Sequence, residues 1–206
     1  MPKQTFFNLP NEKRETLIRA AKTEFSRVPL YEASIANIVK EADIPRGSFY
    51  QYFEDKNDLY FYLLDKQGKD LWKRFFTDLE TYDGNVLITL SELYRYILLS
   101  TDDEKECNYL RNVFLNMNYR TEKSFKHNID HNEFRQQFIQ VKNLIDTKKL
   151  NLINENDLFH IFQITTTLMF QNIIIKFAHN LSSEEALKNF TLQLDLIKRG
   201  ILKKDA

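Results

Sequence analysis

Glycine and proline are scarce in this chain of 206 residues, which contains only four of each. So few residues do not supply the many turns of a β-sandwich or barrel, whereas long segments rich in Leu, Ile, Phe, Lys and Glu favour helices. Cysteine is nearly absent as well, because Cys107 stands alone. No intrachain disulfide can form, which suits a reducing compartment. We therefore predict an all-α protein.

The sequence also lacks a net charge and a long apolar run. Its 29 basic and 29 acidic side chains cancel, so any binding to a polyanion must depend on where charges lie rather than on their sum. The first residues, MPKQTFFNLP, lack the apolar core of a signal peptide, and no apolar run approaches the roughly 18 residues of a membrane span. These absences predict a cytoplasmic protein without a membrane partner.

Apolar residues at spacings of three and four predict about nine helices. The first begins after Pro10 with Asn11 as its N-cap, and the second begins after Ser34, a good N-cap residue. Asp43 lies at the turn before a short third helix, at a position where the chain often becomes left-handed. A long helix follows from Asp55 to about residue 81. Five more helices are predicted over residues 86–99, 105–118, 134–146, 155–178 and 183–202.

The short third helix carries polar side chains on the face that its apolar residues leave free. A helix braced from behind by two others, after a tight turn, forms a helix-turn-helix unit, whose second helix enters the DNA major groove. Arg46 can donate two hydrogen bonds to guanine and Gln51 can pair with adenine, while hydroxyl groups and Lys56 suit phosphates. The candidate DNA-binding residues are Ser34, Asn37, Pro45, Arg46, Ser48, Tyr50, Gln51, Tyr52 and Lys56.

The stretch FSRVPLYEASIANIVKEADIPRGSFYQYFEDKNDL, residues 25–59, resembles the TetR family of bacterial transcriptional regulators. Its matching positions are Phe25, Ala33, Ser34, Ile35, Ile38, Ala42, Ile44, Gly47, Phe49, Tyr50, Tyr52, Phe53, Asp55, Lys56 and Leu59. Four positions depart from the family pattern: Pro29 and Asp43 replace glycines, Val39 replaces alanine and Pro45 replaces serine. The last change removes one hydroxyl that would face a phosphate.

The resemblance implies two domains: a helix-turn-helix DNA-binding domain at residues 1–54 and a helical ligand-binding and dimerisation domain at residues 55–206. It further implies a ligand-responsive transcriptional regulator, which is a repressor that binds a pseudo-palindromic double-stranded operator as a homodimer through its last two helices. A small hydrophobic or amphipathic effector would release it, with the fourth predicted helix transmitting the signal.

Aromatic and apolar residues beyond residue 55 supply candidates for both functions of the second domain. The predicted penultimate helix is apolar on several faces, more than one partner layer normally covers, which suggests a subunit interface. The candidate effector-pocket residues are Trp72, Phe75, Phe76, Tyr94, Phe114, Met117, Phe138, Met169 and Phe170. The candidate dimer-interface residues are Phe162, Met169, Ile173, Phe177, Phe190, Leu194 and Ile197.

Other interpretations stay open at this stage. The segment from Ser34 to Lys56 also suits a helical hairpin in an all-helical protein-interaction module or adaptor that does not bind DNA, and Tyr52 suits a core position as well as a DNA contact. The N-terminal arm with Lys3 either reaches a minor groove or frays. His127 and His131 are spaced for a metal, but their polar surroundings favour a solvated loop, so no metal is predicted. No cofactor motif and no catalytic motif is present, so we do not expect an enzyme.

Overall fold

The computed structural model describes residues 1–116, 131–154 and 156–202, without the side chains of residues 131–134 and 137. The described part forms ten helices and no strand apart from an isolated bridge between Leu150 and Leu202. The all-α prediction is confirmed. The helices are α1 (Gln4–Phe7), α2 (Asn11–Arg27), α3 (Ile35–Glu41), α4 (Arg46–Tyr52), α5 (Lys56–Thr81), α6 (Val86–Ser100), α7 (Glu104–Leu115), α8 (His131–Val141), α9 (Asp157–Ala178) and α10 (Ser183–Ile201).

Several local predictions can be compared directly with the helix ends. Ser34 is the N-cap of α3, and Asp43 has a φ of 50°, so both predictions are confirmed. The prediction for Asn11 is wrong, because Pro10 is the N-cap and Asn11 is already helical. Proline has a fixed φ near −65° that is compatible with the residue before a helix, and α2 begins there without a side-chain cap. Helix α1 was not predicted.

One compact unit comprises Met1–Lys69 and Ser100–Asn118, and thus contains α1 to α4, the first part of α5, and α7. Helix α2 lies at its centre, with Leu17, Ala21 and Phe25 almost completely buried. Helix α7 is fixed to α2 at two points. The Lys22 ammonium lies 3.1 Å from the Glu106 carboxylate, and the Asn112 side-chain amide donates to the Phe25 carbonyl at 2.9 Å.

The second compact unit comprises Asp70–Leu99 and Tyr119–Ala206, with the rest of α5, α6, and α8 to α10 in its described part. Tyr94 of α6 is fully buried against Phe190 of α10, with ring centroids 4.3 Å apart. Helices α9 and α10 are joined by a hydrogen bond from Asn172 to the Gln193 side chain at 2.7 Å. The predicted boundary at residues 54 and 55 differs from this division and stays a prediction.

Helix α9 is as long and as apolar as a helix that spans a membrane. Its 22 residues include an 18-residue window with a mean hydropathy of 1.4, which is sufficient by length and composition, whereas the sequence had suggested no such run. Ten of its residues are buried, among them Phe162, Ile173 and Phe177. Core helices of folded proteins reach the same hydropathy, and the packing of α9 accounts for this part of its composition.

Candidate nucleic-acid interface

Helix α4 is fixed from behind and open in front. The side chains of Phe49 and Phe53 are completely buried, and their ring centroids lie 5.8 Å apart. Arg46, Tyr50 and Gln51 are exposed, with Tyr50 at 40% of its possible surface. Because residues four apart share a helix face, Arg46 and Tyr50 belong to one polar surface. We call Arg46, Gly47, Tyr50 and Gln51 the reading face.

The turn between α3 and α4 is short, and hydrogen bonds of the backbone hold it in place. Asp43 adopts the left-handed conformation, and the Ile44 amide donates to the Val39 carbonyl at 3.0 Å, which closes the end of α3. Pro45 then precedes α4 with a φ of −60°, and its carbonyl accepts from the Ser48 amide at 2.9 Å. Aspartate tolerates the left-handed region better than most residues do, so the glycine of the family pattern is not required here.

Glu24 is a buried carboxylate that links α2 to α3, a role that the sequence analysis did not predict. It accepts two hydrogen bonds from Arg27, at 2.8 and 3.0 Å, and one from the Ser34 amide at 2.8 Å. The Asn37 side-chain amide lies 3.2 Å from both of its oxygens. Burial by itself raises the pKa of the Glu24 carboxyl, but the hydrogen bonds from Arg27, Ser34 and Asn37 outweigh burial and hold this pKa below its ordinary value.

Two predicted DNA contacts have partners inside the protein. The Lys56 ammonium donates to the carbonyls of Tyr31 at 2.9 Å and Ala33 at 2.8 Å, where it fixes the loop before α3. Asn37 is exposed but is oriented by Glu24. Both side chains therefore support the unit itself in this structure, and any contact with DNA would be additional to these hydrogen bonds.

The nine predicted DNA-binding residues all lie in one compact unit, on α3, on α4, at the N-caps of these two helices and, for Lys56, at the start of α5. The exposed ones are Asn37, Pro45, Arg46, Tyr50 and Gln51, and the half-buried ones are Ser34, Ser48, Tyr52 and Lys56. Tyr52 is thus compatible with both of its interpretations. Their role in DNA binding stays a prediction.

The candidate effector-pocket residues fall into different environments. Phe75, Tyr94, Phe138 and Met169 are buried, Trp72, Phe76 and Phe114 are half-buried, Phe170 is 46% exposed, and Met117 lies outside the described residues. Tyr94 is a core residue that joins α6 to α10, and its hydroxyl approaches the Ala186 carbonyl at 3.5 Å. Burial raises its pKa to about 12. Phe114 belongs to the first compact unit and the remaining described candidates to the second.

An aromatic cluster of Trp72, Phe75, Phe138, Phe159 and Phe162 joins α5, α8 and α9. The Trp72 and Phe75 rings are stacked, with centroids 5.2 Å apart, and Phe162 lies 5.7 Å from Phe75 and 5.6 Å from Phe138. The indole Nε1 of Trp72 is buried and has no hydrogen-bond partner within the described part of the chain. The prediction left out Phe159 and assigned Phe162 to the dimer interface, because apolar residues occur on several faces of α9 and the sequence does not tell which face meets α5 and α8.

The predicted dimer-interface residues require a correction. Phe162, Met169, Ile173, Phe177, Phe190 and Leu194 are at most 4% exposed, and Ile197 is half-buried. The first six fill the core of a single chain, so they cannot also form a surface between two chains. The large apolar residues that the last two helices expose are Ile164, Phe170, Leu192 and Leu196, which we call the outer face of α9 and α10.

The possible metal site at His127 and His131 lies outside the side chains that the structure describes. His127 lies outside the described residues, as does the side chain of His131. Over residues 1–116, 131–154 and 156–202, no group of three His, Cys, Asp or Glu side chains is placed to hold a metal ion.

A braced bundle with a short exposed helix after a tight turn defines the class of helix-turn-helix proteins. Residues 17–63 match the family model described as bacterial regulatory proteins, tetR family, and residues 85–201 match the tetracyclin repressor-like C-terminal domain. The second match alone spans more than half of the 206 residues. The chain belongs to the TetR family of DNA-binding transcriptional regulators.

Named relatives agree with this assignment. The chain is 41% identical over 56 residues to the regulator HbdR of Aromatoleum sp., which is 27% of this chain and 24% of that protein. It is 26% identical over 102 residues to AcrR of Shigella flexneri, which is 50% of this chain and 47% of that protein. The matched regions thus span less than half of either relative.

A solved structure extends the likeness in fold to nearly the whole chain. SmeT, the repressor of the Stenotrophomonas maltophilia multidrug efflux pump SmeDEF, superposes with a TM-score of 0.67 over 97% of this chain and 93% of that one. The sequence identity is only 12%, so this likeness concerns the fold alone.

Proposed function

We propose that this chain is a ligand-responsive repressor that binds a pseudo-palindromic operator as a homodimer. The observation that carries the proposal is the reading face of α4, where Arg46, Tyr50 and Gln51 are exposed above a completely buried Phe49. A major groove admits one α-helix, and Arg and Gln are the side chains that pair bidentately with guanine and adenine. Membership of a bacterial family of DNA-binding regulators supports a location in the cytoplasm, where the DNA is.

Homodimerisation is supported by the outer face of α9 and α10. Single monomers rarely leave several large apolar side chains exposed together, and Leu192 and Leu196 are 60% and 56% exposed one helical turn apart. A two-fold dimer presents the same α4 twice, so its best DNA site is an inverted repeat with matching spacing. Repression follows where such a site overlaps a promoter.

The aromatic cluster on α5, α8 and α9 supports a small hydrophobic or amphipathic effector. A flat apolar ligand suits the rings, and a ligand oxygen would satisfy the buried Nε1 of Trp72, which is costly to leave unpaired. Helix α5 is one continuous helix that belongs to both compact units, so it can carry a displacement from the cluster towards the first compact unit, which contains α4 and which we call the DNA-reading unit. A hundredfold change in operator affinity needs about 2.7 kcal/mol of coupling.

The direct test is selection of genomic DNA fragments by the purified full chain. We expect enrichment of fragments that share an inverted repeat, with an affinity that falls steeply as salt increases because phosphate contacts release counterions. Failure to enrich any fragment at low ionic strength would contradict the proposal and favour a protein-interaction module. Genes next to the enriched sites then indicate the class of effector.

Effector binding has its own optical probe, because Trp72 is the only tryptophan of the chain. The compounds to be titrated are hydrophobic ones that belong to the effector class indicated by the neighbouring genes. An effector should change the fluorescence of Trp72 and lower operator affinity at the same ligand concentrations. A compound that releases the operator while the fluorescence of Trp72 stays constant would place the effector site elsewhere. The variant Trp72→Phe keeps an aromatic ring but removes both the indole N–H and the fluorescence probe, so its response to the effector is followed by operator affinity alone.

A further inference from the structure

The N-terminal segment contacts the carboxyl end of α4. The Lys3 backbone amide donates to the Tyr52 carbonyl at 2.8 Å, and its ammonium donates to the Tyr50 carbonyl at 2.8 Å. The Thr5 hydroxyl donates to the Gln51 carbonyl between them. Three consecutive carbonyls of the last turn of α4 each accept a hydrogen bond from this segment.

These carbonyls are the groups that a helix cannot satisfy by itself. The last four carbonyls of any α-helix have no partner within the helix, and they form the negative end of its dipole. Helix α4 has only seven residues and no basic residue in its last turn. A helix this short is not stable without outside contacts. Lys3 therefore supplies, from outside, the positive charge that the last turn of α4 lacks.

The segment is itself anchored in the core. Phe6 is completely buried, with its ring centroid 4.9 Å from that of Phe53 and 5.2 Å from that of Tyr62. Phe53 directly follows α4, and Tyr62 lies on α5. The position of Phe6 thus fixes Lys3 and Thr5 against the end of α4, although both of these side chains are exposed. We call Lys3, Thr5 and Phe6 the N-terminal clamp.

We propose that Lys3 and Thr5 are positioning residues, which hold the carboxyl end of α4 in the orientation that DNA binding requires without touching the DNA. This inference rests on the proposed function, because it concerns the helix that reads the operator. The contacts differ from those of an arm that enters a minor groove, since the Lys3 ammonium is directed at a carbonyl of the protein. The N-terminal segment becomes part of the DNA-reading unit rather than an appendage to it.

The first measurement needs no DNA. Amide hydrogen exchange of α4 is compared between the wild type, Thr5→Val, and Lys3→Met with Thr5→Val. Because each lost hydrogen bond to the last turn weakens α4 modestly, we expect the Phe53 amide, which donates to Phe49 at 2.9 Å, to exchange about fivefold faster in Thr5→Val and faster still in the double variant. Lys188→Met, which removes an exposed charge from α10, is the matched control and should leave exchange in α4 unchanged.

The second measurement is affinity for a selected genomic fragment over a range of salt concentrations. Thr5→Val removes a hydroxyl but no charge, so we expect about fivefold weaker binding with the same salt dependence. Unchanged exchange in α4 of the double variant would overturn the proposal. So would full affinity in Thr5→Val combined with a salt slope lower by about one in Lys3→Met, because that pattern indicates a direct phosphate contact.

Failure of the proposed function gives a different pattern of results. If the wild type bound no genomic fragment, repression would be excluded as the function. The exchange measurement would still decide whether the N-terminal clamp holds α4.

Discussion

Glu24 shows how a single buried charge fixes the start of one helix against another. Its carboxylate is 4% exposed and accepts from the Ser34 amide, which begins α3, and from Asn37 on the exposed side of that helix. Arg27 adds two hydrogen bonds with good geometry. An uncompensated buried carboxylate would be costly, whereas this one is satisfied on every side by groups of the DNA-reading unit.

Glu24→Gln should lower the free energy of unfolding by about 1–3 kcal/mol at pH 7, because it removes hydrogen bonds to a charged group. The pKa of Glu24 is lower in the folded chain than its ordinary value of 4.5. Its stabilising contribution is therefore complete above pH 4.5 and is lost as the pH falls through the folded pKa. The free energies of unfolding of the wild type and the variant, measured with urea, should therefore become equal as the pH is lowered. Glu12→Gln, on the exposed part of α2, is the control.

A difference in the free energy of unfolding between the wild type and Glu24→Gln that stayed constant from pH 7 to pH 3 would contradict the stabilising role of the Glu24 carboxylate. It would mean that the charged form of Glu24 is not the form that stabilises the fold.

Gly47 lies on the reading face, and a Cβ atom added there would meet nothing within 4 Å. Gly47→Ala should stabilise the free protein by about 0.5–1 kcal/mol, because alanine favours helix. The same methyl group would stand between α4 and an approaching DNA backbone, so operator affinity should fall. Thermal unfolding measures the expected gain in stability, and operator titration measures the expected loss of affinity. An alanine variant that binds DNA as tightly as the wild type would show that the groove does not approach this face.

At the scale of secondary structure, the turn between α5 and α6 is held by Gly84. This residue has a φ of 76°, and a Cβ atom there would collide with the Leu144 carbonyl and approach the Asp146 amide to 2.6 Å. The Asp146 amide in turn donates to the Gly84 carbonyl at 2.9 Å. The turn therefore needs both the left-handed conformation and the missing side chain.

Gly84→Ala should lower the free energy of unfolding by about 2–5 kcal/mol, through backbone strain and overlap with backbone atoms that cannot move aside. Gly68→Ala is a matched control, because Gly68 lies within α5 and its added Cβ would meet nothing within 4 Å. The control should be stabilised by about 0.5–1 kcal/mol. Chemical denaturation measures both, and equal effects would contradict the role given to the turn.

The sequence predicted elements well where a local signal existed. The turn at Asp43 and the N-cap at Ser34 both depend on neighbours in the chain, and both were predicted correctly. Helix α1 was missed because four residues carry too little periodicity to predict a helix.

The sequence pattern does not predict contacts between residues that are far apart in the chain. The position of Glu24 beside Ser34 and that of Lys3 beside Tyr50 depend on packing. On α9, apolar residues occur on every face, so periodicity does not tell which face is inside. This is why Phe162 and Ile173 were assigned to an interface although they form the core of the unit.

At the scale of the whole molecule, the outer face of α9 and α10 should determine the oligomeric state. Leu192→Arg combined with Leu196→Arg should give a monomer in sedimentation, with little loss of stability because both side chains are exposed. Operator affinity should fall by about a hundredfold or more, because a monomer no longer binds two half-sites at once. Ile153→Arg, at a side chain that is 90% exposed outside these helices, is the control. A dimer that survives the double substitution would place the interface elsewhere.

The most direct test of the whole account is the affinity of Arg46→Ala and Gln51→Ala for a selected genomic fragment and for unrelated DNA. If α4 reads base edges, each variant should bind the selected fragment about tenfold to a hundredfold more weakly than the wild type, with helix content and dimer mass unchanged. Binding to unrelated DNA should change much less, because phosphate contacts dominate it. Equal affinity of both variants and the wild type for the selected fragment would contradict the claim that the reading face recognises DNA sequence.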